Sequence, residues 1–264
     1  MHPIERLRWI ARAEDEPAAS LASEAAWTLA ELAEAEPTAL LTACRRLLDR
    51  HPACGPLWWV SARLAAADDP VEAARRAAGE LCSDTTPDRL AKALRASLTA
   101  DDVVALTVPA ELSLASLEAC RPHPVRVLGV SWFLGRALRA ISEVASDVTG
   151  FVSGDEDEAL EGASVLLVEA LAAGPRAALV DAGAAGAIQA ALGASVPVWI
   201  VIGVGRSLPG RLFEAAAERA GAAVDEVALD TFALGVGSDL TGDAAAVSAL
   251  VTCPPGPELL RRSL

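Results

Sequence analysis

The sequence predicts an α/β protein: an N-terminal all-helical domain, residues 1–100, followed by a Rossmann-like domain, residues 101–264, whose mostly parallel sheet carries helices on both faces. Three observations predict it. The first hundred residues read almost wholly as helix, with apolar positions at spacings of three and four and prolines at several helix starts. From Val103 onward, short apolar runs alternate with helical stretches. Those runs are mostly continuous in hydrophobicity instead of alternating, the mark of strands buried on both faces.

In the helical region, Ala18 to Ala35 sets Leu21, Ala25, Leu29 and Leu32 on one face. Pro37-Thr38 opens a second helix with Leu40, Leu41, Cys44, Leu47 and Leu48 inward, ending before His51-Pro52. Gly55-Pro56 starts a third, with the Trp58-Trp59 pair. Neighbouring helical positions face different directions, so one tryptophan is expected in the core and one at an interface. Asp68-Asp69-Pro70 has the form of a cap followed by a first-turn proline, and Thr86-Pro87 to Leu98 follows the same rule.

Six strands are expected in the second region: Val103–Val108, Val125–Val130, Val148–Val152, Val165–Val168, Val198–Ile202 and Val224–Leu229. Helices are expected around Leu112–Cys120, Trp132–Val144 and Pro209–Ala220. The tail from Thr231 reads as less regular, with a polar-glycine loop from Gly235 to Asp243.

The charge balance, 22 basic against 36 acidic residues for a net −14, opposes general binding to nucleic acid or to anionic membranes. It leaves room for a phosphorylated small ligand captured by local arginines and backbone amides. Five scattered cysteines without a C-x-x-C pair, and three dispersed histidines, argue against a disulfide framework or a metal site. No cofactor is implied. Without a signal segment or a long uncharged apolar run, a cytoplasmic location is expected.

Ligands of open parallel sheets bind beyond the carboxyl ends of the strands. Two candidate groups stand there. Gly203, Gly205, Arg206 and Ser207 form a glycine loop before a helix, suited to an anion through close backbone approach and the arginine charge. Its G-x-G-x-x-x-x-G spacing departs from the dinucleotide fingerprint, and a structural turn is the alternative. Arg136 follows the second strand and either contacts the ligand or pairs with Glu143 or Glu169. Glu169 ends a buried strand, and Asp181 has the same character. Together they are candidates for an acid/base pair, with cap or salt-bridge roles as the alternative. Asp155 after Gly154 is a third acidic candidate or a helix cap.

The layout resembles the translation initiation factor 2B alpha/beta/delta family, which includes the methylthioribose-1-phosphate and ribose-1,5-bisphosphate isomerases. That family belongs to the superfamily of ribose-5-phosphate isomerase, glucosamine-6-phosphate deaminase and CoA transferases. The resemblance runs from about Val103 to Pro255. Val127 to Arg136 is similar to the family's strand followed by E-x-R-P and G-R; Val152 to Asp155 to its strand ending in Asp; Val165 to Ala170 to the strand ending in G-A-D. Val180 to Ala184 falls on N-K-x-G-T, Val196 to Ile202 on V-P-x-x-V-V, and Val251-Thr252 with Pro254-Pro255 on the V-T-P ending. It implies a dimer. The isomerases' aspartate falls on Ala170 here, their Asn-Lys pair on Val180-Asp181, and the first strand ends without their cysteine. The resemblance therefore implies a divergent, non-catalytic protein binding a phosphorylated sugar or nucleotide. The alternatives are an active sugar-phosphate isomerase using Glu169 or Asp181, and a pure interaction subunit.

Overall fold

The computed structural model of the 264-residue chain describes residues 2–13, 16–120, 124–129, 138–139, 147–152 and 154–261. Arg136, and nearly all of the helix expected over Trp132–Val144, lie outside them.

Six helices come first: α1 (Pro3–Ile10), α2 (Ala18–Ala35), α3 (Leu40–Arg50), α4 (Gly55–Ala66), α5 (Pro70–Cys82) and α6 (Thr86–Ser97). The cap expected before α5 is in place, since the Asp69 carboxylate accepts the Glu72 N–H at 3.0 Å. The Trp58-Trp59 expectation is corrected, because both tryptophans are fully buried. The reason is that α4 is covered on all sides. Trp58 Nε1 donates to the Pro52 carbonyl, Trp59 Nε1 donates to Thr252 Oγ1, and the guanidiniums of Arg219 and Arg63 lie over the two rings.

The α/β part begins with β1 (Val103–Thr107), α7 (Glu111–Cys120), β2 (Val125–Gly129), β3 (Val148–Val152), α8 (Glu156–Leu160) and β4 (Ala163–Glu169). It continues with β5 (Ala172–Ala173), β6 (Ala177–Asp181), α9 (Ala184–Gly193), β7 (Val198–Ile202), α10 (Gly210–Ala220), β8 (Val224–Ala228), β9 (Leu234–Gly237), β10 (Thr241–Gly242) and α11 (Ala244–Ser248). The main sheet has the order β10-β9-β7-β4-β1-β2-β3, parallel throughout except for β10.

Both faces of its central strands β1, β4 and β7 are buried. Leu166, Val168 and Ile200 pack with α8, α9 and α11, while Val165, Leu167 and Val201 pack on the other face with α6 and α7. Neighbouring residues of one strand thus serve opposite layers, and the strands read as unbroken apolar runs for that reason.

Two expectations about the strands are corrected. Val224–Ala228 does not join the main sheet; it pairs antiparallel with β6, which pairs with β5, in a separate three-stranded sheet. Its place at the edge is taken by the β9–β10 hairpin, inside the stretch that reads as a polar-glycine loop. The glycines there serve packing, because α11 lies directly on them. A Cβ on Gly235 would stand 2.7 Å from the Ala244 Cα.

The small sheet and the tail adjoin the helical region. Ala172, Leu179, Leu212, Phe213, Cys253 and Leu259 share a core with α1 to α5. Arg45 and Arg219 donate to the carbonyls of Glu258 and Leu259, which fixes the tail across the helices.

Candidate functional site

The strand order reverses at β1, which has β2 on one side and β4 on the other. The carboxyl ends of β1 and β4 therefore mark the switch point where ligands of such sheets sit. In this chain they mark a buried cluster of charges.

Glu169 closes β4 with 3% of its surface exposed. Its Oε1 accepts the Ser113 N–H from the first turn of α7 at 2.7 Å. Its Oε2 is buried without a hydrogen bond and stands 3.5 Å from Arg206 Nη1. Arg206, 2% exposed, donates to the Ala170 carbonyl at 2.5 Å and to Glu111 Oε1 at 2.7 Å. Glu111 completes the cluster and reaches into the helical region. Helix α2 begins after Pro17, which has no side chain able to cap it, and the Glu111 carboxylate accepts the N–H groups of Ala18 at 2.8 Å and Ala19 at 3.3 Å. One carboxylate thus caps a helix 93 residues away and holds the buried arginine.

One cation facing two carboxylates sets the electrostatics. Burial, aided by the Glu111 charge, pushes the Glu169 carboxyl up to about 7 against the pull of Arg206 and the Ser113 N–H bond. Arg206 is held charged by Glu111 and Glu169, which outweigh its own burial. A protonated Glu169 leaves a balanced Arg206–Glu111 pair, the arrangement that costs least in a dry interior.

The glycine loop surrounds this cluster. Asp84 accepts the Val204 N–H with Oδ2 and the Thr86 N–H with Oδ1, tying the loop to the start of α6. A Cβ on Gly203 would stand 2.6 Å from Leu112 Cδ1 and 2.7 Å from Asp84 Oδ2. Gly205 has φ +77° and its Cβ position lies 3.1 Å from the Pro56 Cα, against the Trp59 ring. Both glycines are accounted for by packing against helices. Gly205→Ala is expected to lower stability by about 1–2 kcal/mol from backbone conformation alone, with the tight contacts adding to it, as urea unfolding would measure.

A cleft of about 270 Å³ opens on the other side of the loop, at the carboxyl ends of β7 and β9. Gly203, Gly205 and Ser207 form one wall, Ser83 and Thr85 a second, Ser238 and Asp239 a third. The Arg206 side chain is turned inward, away from this cleft. The charged groups at its rim are acidic: Glu80, paired with Arg63 at 2.6 Å, and Asp239, which accepts from Ser238 Oγ at 2.9 Å.

The remaining candidates are dispersed. Asp181 ends β6 in the small sheet, and burial followed by the nearby Asp225 pushes its carboxyl up to about 6. Asp225 itself accepts the N–H groups of Gly183 and Ala185 at the start of α9. Glu169 and Asp181 belong to different sheets and, among the described residues, share no hydrogen-bond partner. Asp155 is exposed at the start of α8, where its side chain makes no capping bond. Among the described residues, no three of His, Cys, Asp and Glu are grouped to hold a metal, and no helix is long and apolar enough to cross a membrane. Sequence reasoning missed Glu111, Ser113 and Asp84. The signal for Glu111 was available, an acid in the first turn of the helix that follows β1.

No protein-family model matches the sequence, and no curated protein matches it. Solved structures do match. The chain is 14% identical to eIF2B beta from Chaetomium thermophilum, with a TM-score of 0.70 over 93% of this chain and 90% of that one. It is 15% identical to a chain of the tetrameric eIF2B-beta2-delta2 complex from C. thermophilum, with a TM-score of 0.75 over 94% and 92%. It is 14% identical to the translation initiation factor eIF-2B of Pyrococcus horikoshii OT3, with a TM-score of 0.69 over 90% and 97%. Over 90–94% of its length, this chain has the fold of the eIF2B subunits.

Proposed function

We propose that this chain is a divergent, non-catalytic eIF2B-like protein that works by assembling with other protein chains, a second copy of itself first among them. The carrying observation is that, among the described residues, a buried cluster of charges occupies the carboxyl end of β4 at the switch point. Arg206 is paired with Glu111 and faces Glu169 where a substrate's charged groups would have to enter, and the two carboxylates expected to share acid/base work lie in separate sheets. The tetramer in which one structural neighbour occurs supports the assembly part of the reading.

A second reading keeps the phosphorylated sugar or nucleotide, and the cleft beside Ser207 favours it. The ligand would then be held by the backbone of the Gly203–Ser207 loop and by Ser83, Thr85 and Ser238, without Arg206. The acidic rim works against a polyanion, so a monophosphate suits the cleft better than a bisphosphate.

Light scattering and a turnover assay test the first reading together. The expected result is a dimer or larger assembly that converts neither methylthioribose 1-phosphate nor ribose 1,5-bisphosphate. Turnover that disappears in Glu169→Gln would overturn it in favour of an isomerase. A melting-temperature screen with ribose phosphates and nucleoside monophosphates tests the second. Ligand at about a hundred times its dissociation constant adds about 2.7 kcal/mol, and Ser207→Gln should remove that gain.

A further inference from the structure

The helical region contains a hollow of about 550 Å³ between α1, α2 and α3, and none of its lining residues belongs to the strand-end cleft. Its floor is apolar, built from Leu7, Leu32 and Leu47, one residue from each helix. Its rim carries four arginines: Arg8 and Arg12 along α1 and just past its end, Arg46 and Arg50 one turn apart on α3.

That concentration is unusual for a chain of net charge −14 with 22 basic residues in all. Two of the four have an ordinary explanation, because Arg8 and Arg50 occupy the last turns of their helices, where the helix dipole favours cations. Arg12 lies beyond its helix and Arg46 before the last turn of its own. Arg12, Arg46 and Arg50 make no ion pair or side-chain hydrogen bond among the described residues. Arg8 pairs only with the exposed Glu5. Among the described residues, the acid on the rim is Asp49, which is paired with Arg219 at 3.3 Å. Arg12, Arg46 and Arg50, gathered as like charges on a solvated rim, repel one another, and an anion in the hollow would relieve that.

We propose that this hollow binds an anionic amphiphile: a carboxylate or phosphate monoester head held by the arginines, with an unbranched apolar tail on the leucine floor. The volume falls within the roughly 300–1,000 Å³ of small-molecule sites, and such sites combine an apolar lining with a few polar groups in the way seen here. Arginine suits either head group because its planar fork presents paired N–H donors to two oxygens. The tail contributes by leaving water for the floor, and the head by charge, so neither half alone should bind well. A long peptide helix fits less well, since the walls are one helix of 8 residues and one of 11.

Calorimetric titration of the full chain tests this with sodium decanoate and decyl phosphate as probes, and with decanol and inorganic phosphate as controls. Both amphiphiles are expected to bind, and each control to bind at least roughly tenfold more weakly. The double variant Arg46→Ser/Arg50→Ser should weaken decanoate by about tenfold or more while leaving the melting temperature near that of the parent, since both positions are exposed. Thr42→Trp, which fills the hollow and keeps every arginine, should also block binding. The proposal is overturned if neither amphiphile binds, if inorganic phosphate binds as tightly as they do, or if the arginine double variant keeps its full affinity. It is equally overturned if the chain ignores decanoate and binds only vesicles of anionic phospholipid.

Discussion

Arg206→Ala is expected to lower folding stability by about 3–5 kcal/mol, the loss typical of removing one partner from a buried set of charges. The residue is 2% exposed and contacts Glu111, Glu169 and the Ala170 carbonyl. Deleting it leaves the buried Ala170 carbonyl without this donor, Glu169 without its countercharge, and Glu111 with only the Ala18 and Ala19 N–H groups. It also loosens Glu111, which caps α2, so the damage should spread to the junction with the helical region. Glu111→Gln isolates that part. Glutamine keeps an oxygen for the Ala18 N–H but surrenders the charge, so a smaller loss of about 1 kcal/mol is expected. Replacing all three charged residues together by Met, Gln and Leu should recover much of the stability, because an apolar filling avoids the desolvation cost. Urea unfolding of the four proteins measures the series. A loss under about 1 kcal/mol for Arg206→Ala would mean that solvent screens the cluster. The switch point would then be open to a ligand after all, which removes the main support for the non-catalytic reading.

The sequence conveyed the layers of this fold better than its joints. The β1, β2, β4 and β7 strands announce themselves as apolar runs because both of their faces are buried. The β9–β10 hairpin was illegible for the opposite reason: its apolar run is broken by Gly235 and Gly237, which leave room for α11 to lie on it. The separate sheet of β5, β6 and β8 was also hidden, since an apolar run does not say which neighbour it will pair with. At the site, Arg206 and Glu169 were both singled out from their strand-end positions. What they do depended on Glu111, which is 95 residues from Arg206 in the chain and adjacent only in the folded molecule. A glycine loop with an arginine looks the same in sequence whether the arginine faces a phosphate or a carboxylate of its own protein. Here the second applies, and the loop's glycines answer to Pro56, Trp59, Leu112 and Asp84.

Stability should fall as the pH rises from about 4.5 to 7, and Glu169 should account for the upper part of that fall. The sign follows from where the protons are. The ordinary glutamate value is 4.5, so an unfolded chain has lost this proton well below neutrality, while the folded protein retains it up to about 7. In that window unfolding releases a proton, and raising the pH favours the unfolded state by at most about 1.4 kcal/mol per pH unit for this one group. The contribution is complete below 4.5 and gone above 7. Asp181 works in the same direction in a lower window, from 3.8 to about 6, with a smaller effect because it is only half-buried and solvent screens it. Glu169→Gln should therefore flatten the stability profile from about pH 4.5 to 7, while Asp181→Asn should flatten it only from about 3.8 to 6, so between 6 and 7 only the first variant differs in slope from the parent. The difference between each variant and the parent, read from urea midpoints at matched pH, removes the general repulsion of a chain carrying −14. If the parent becomes more stable on going from pH 5 to 7 and Glu169→Gln abolishes that gain, Glu169 is ionised in the fold. Arg206 would then be shared between two charged carboxylates, and the cluster would hold a net negative charge in need of a cation. A closed, neutral cluster requires the opposite slope.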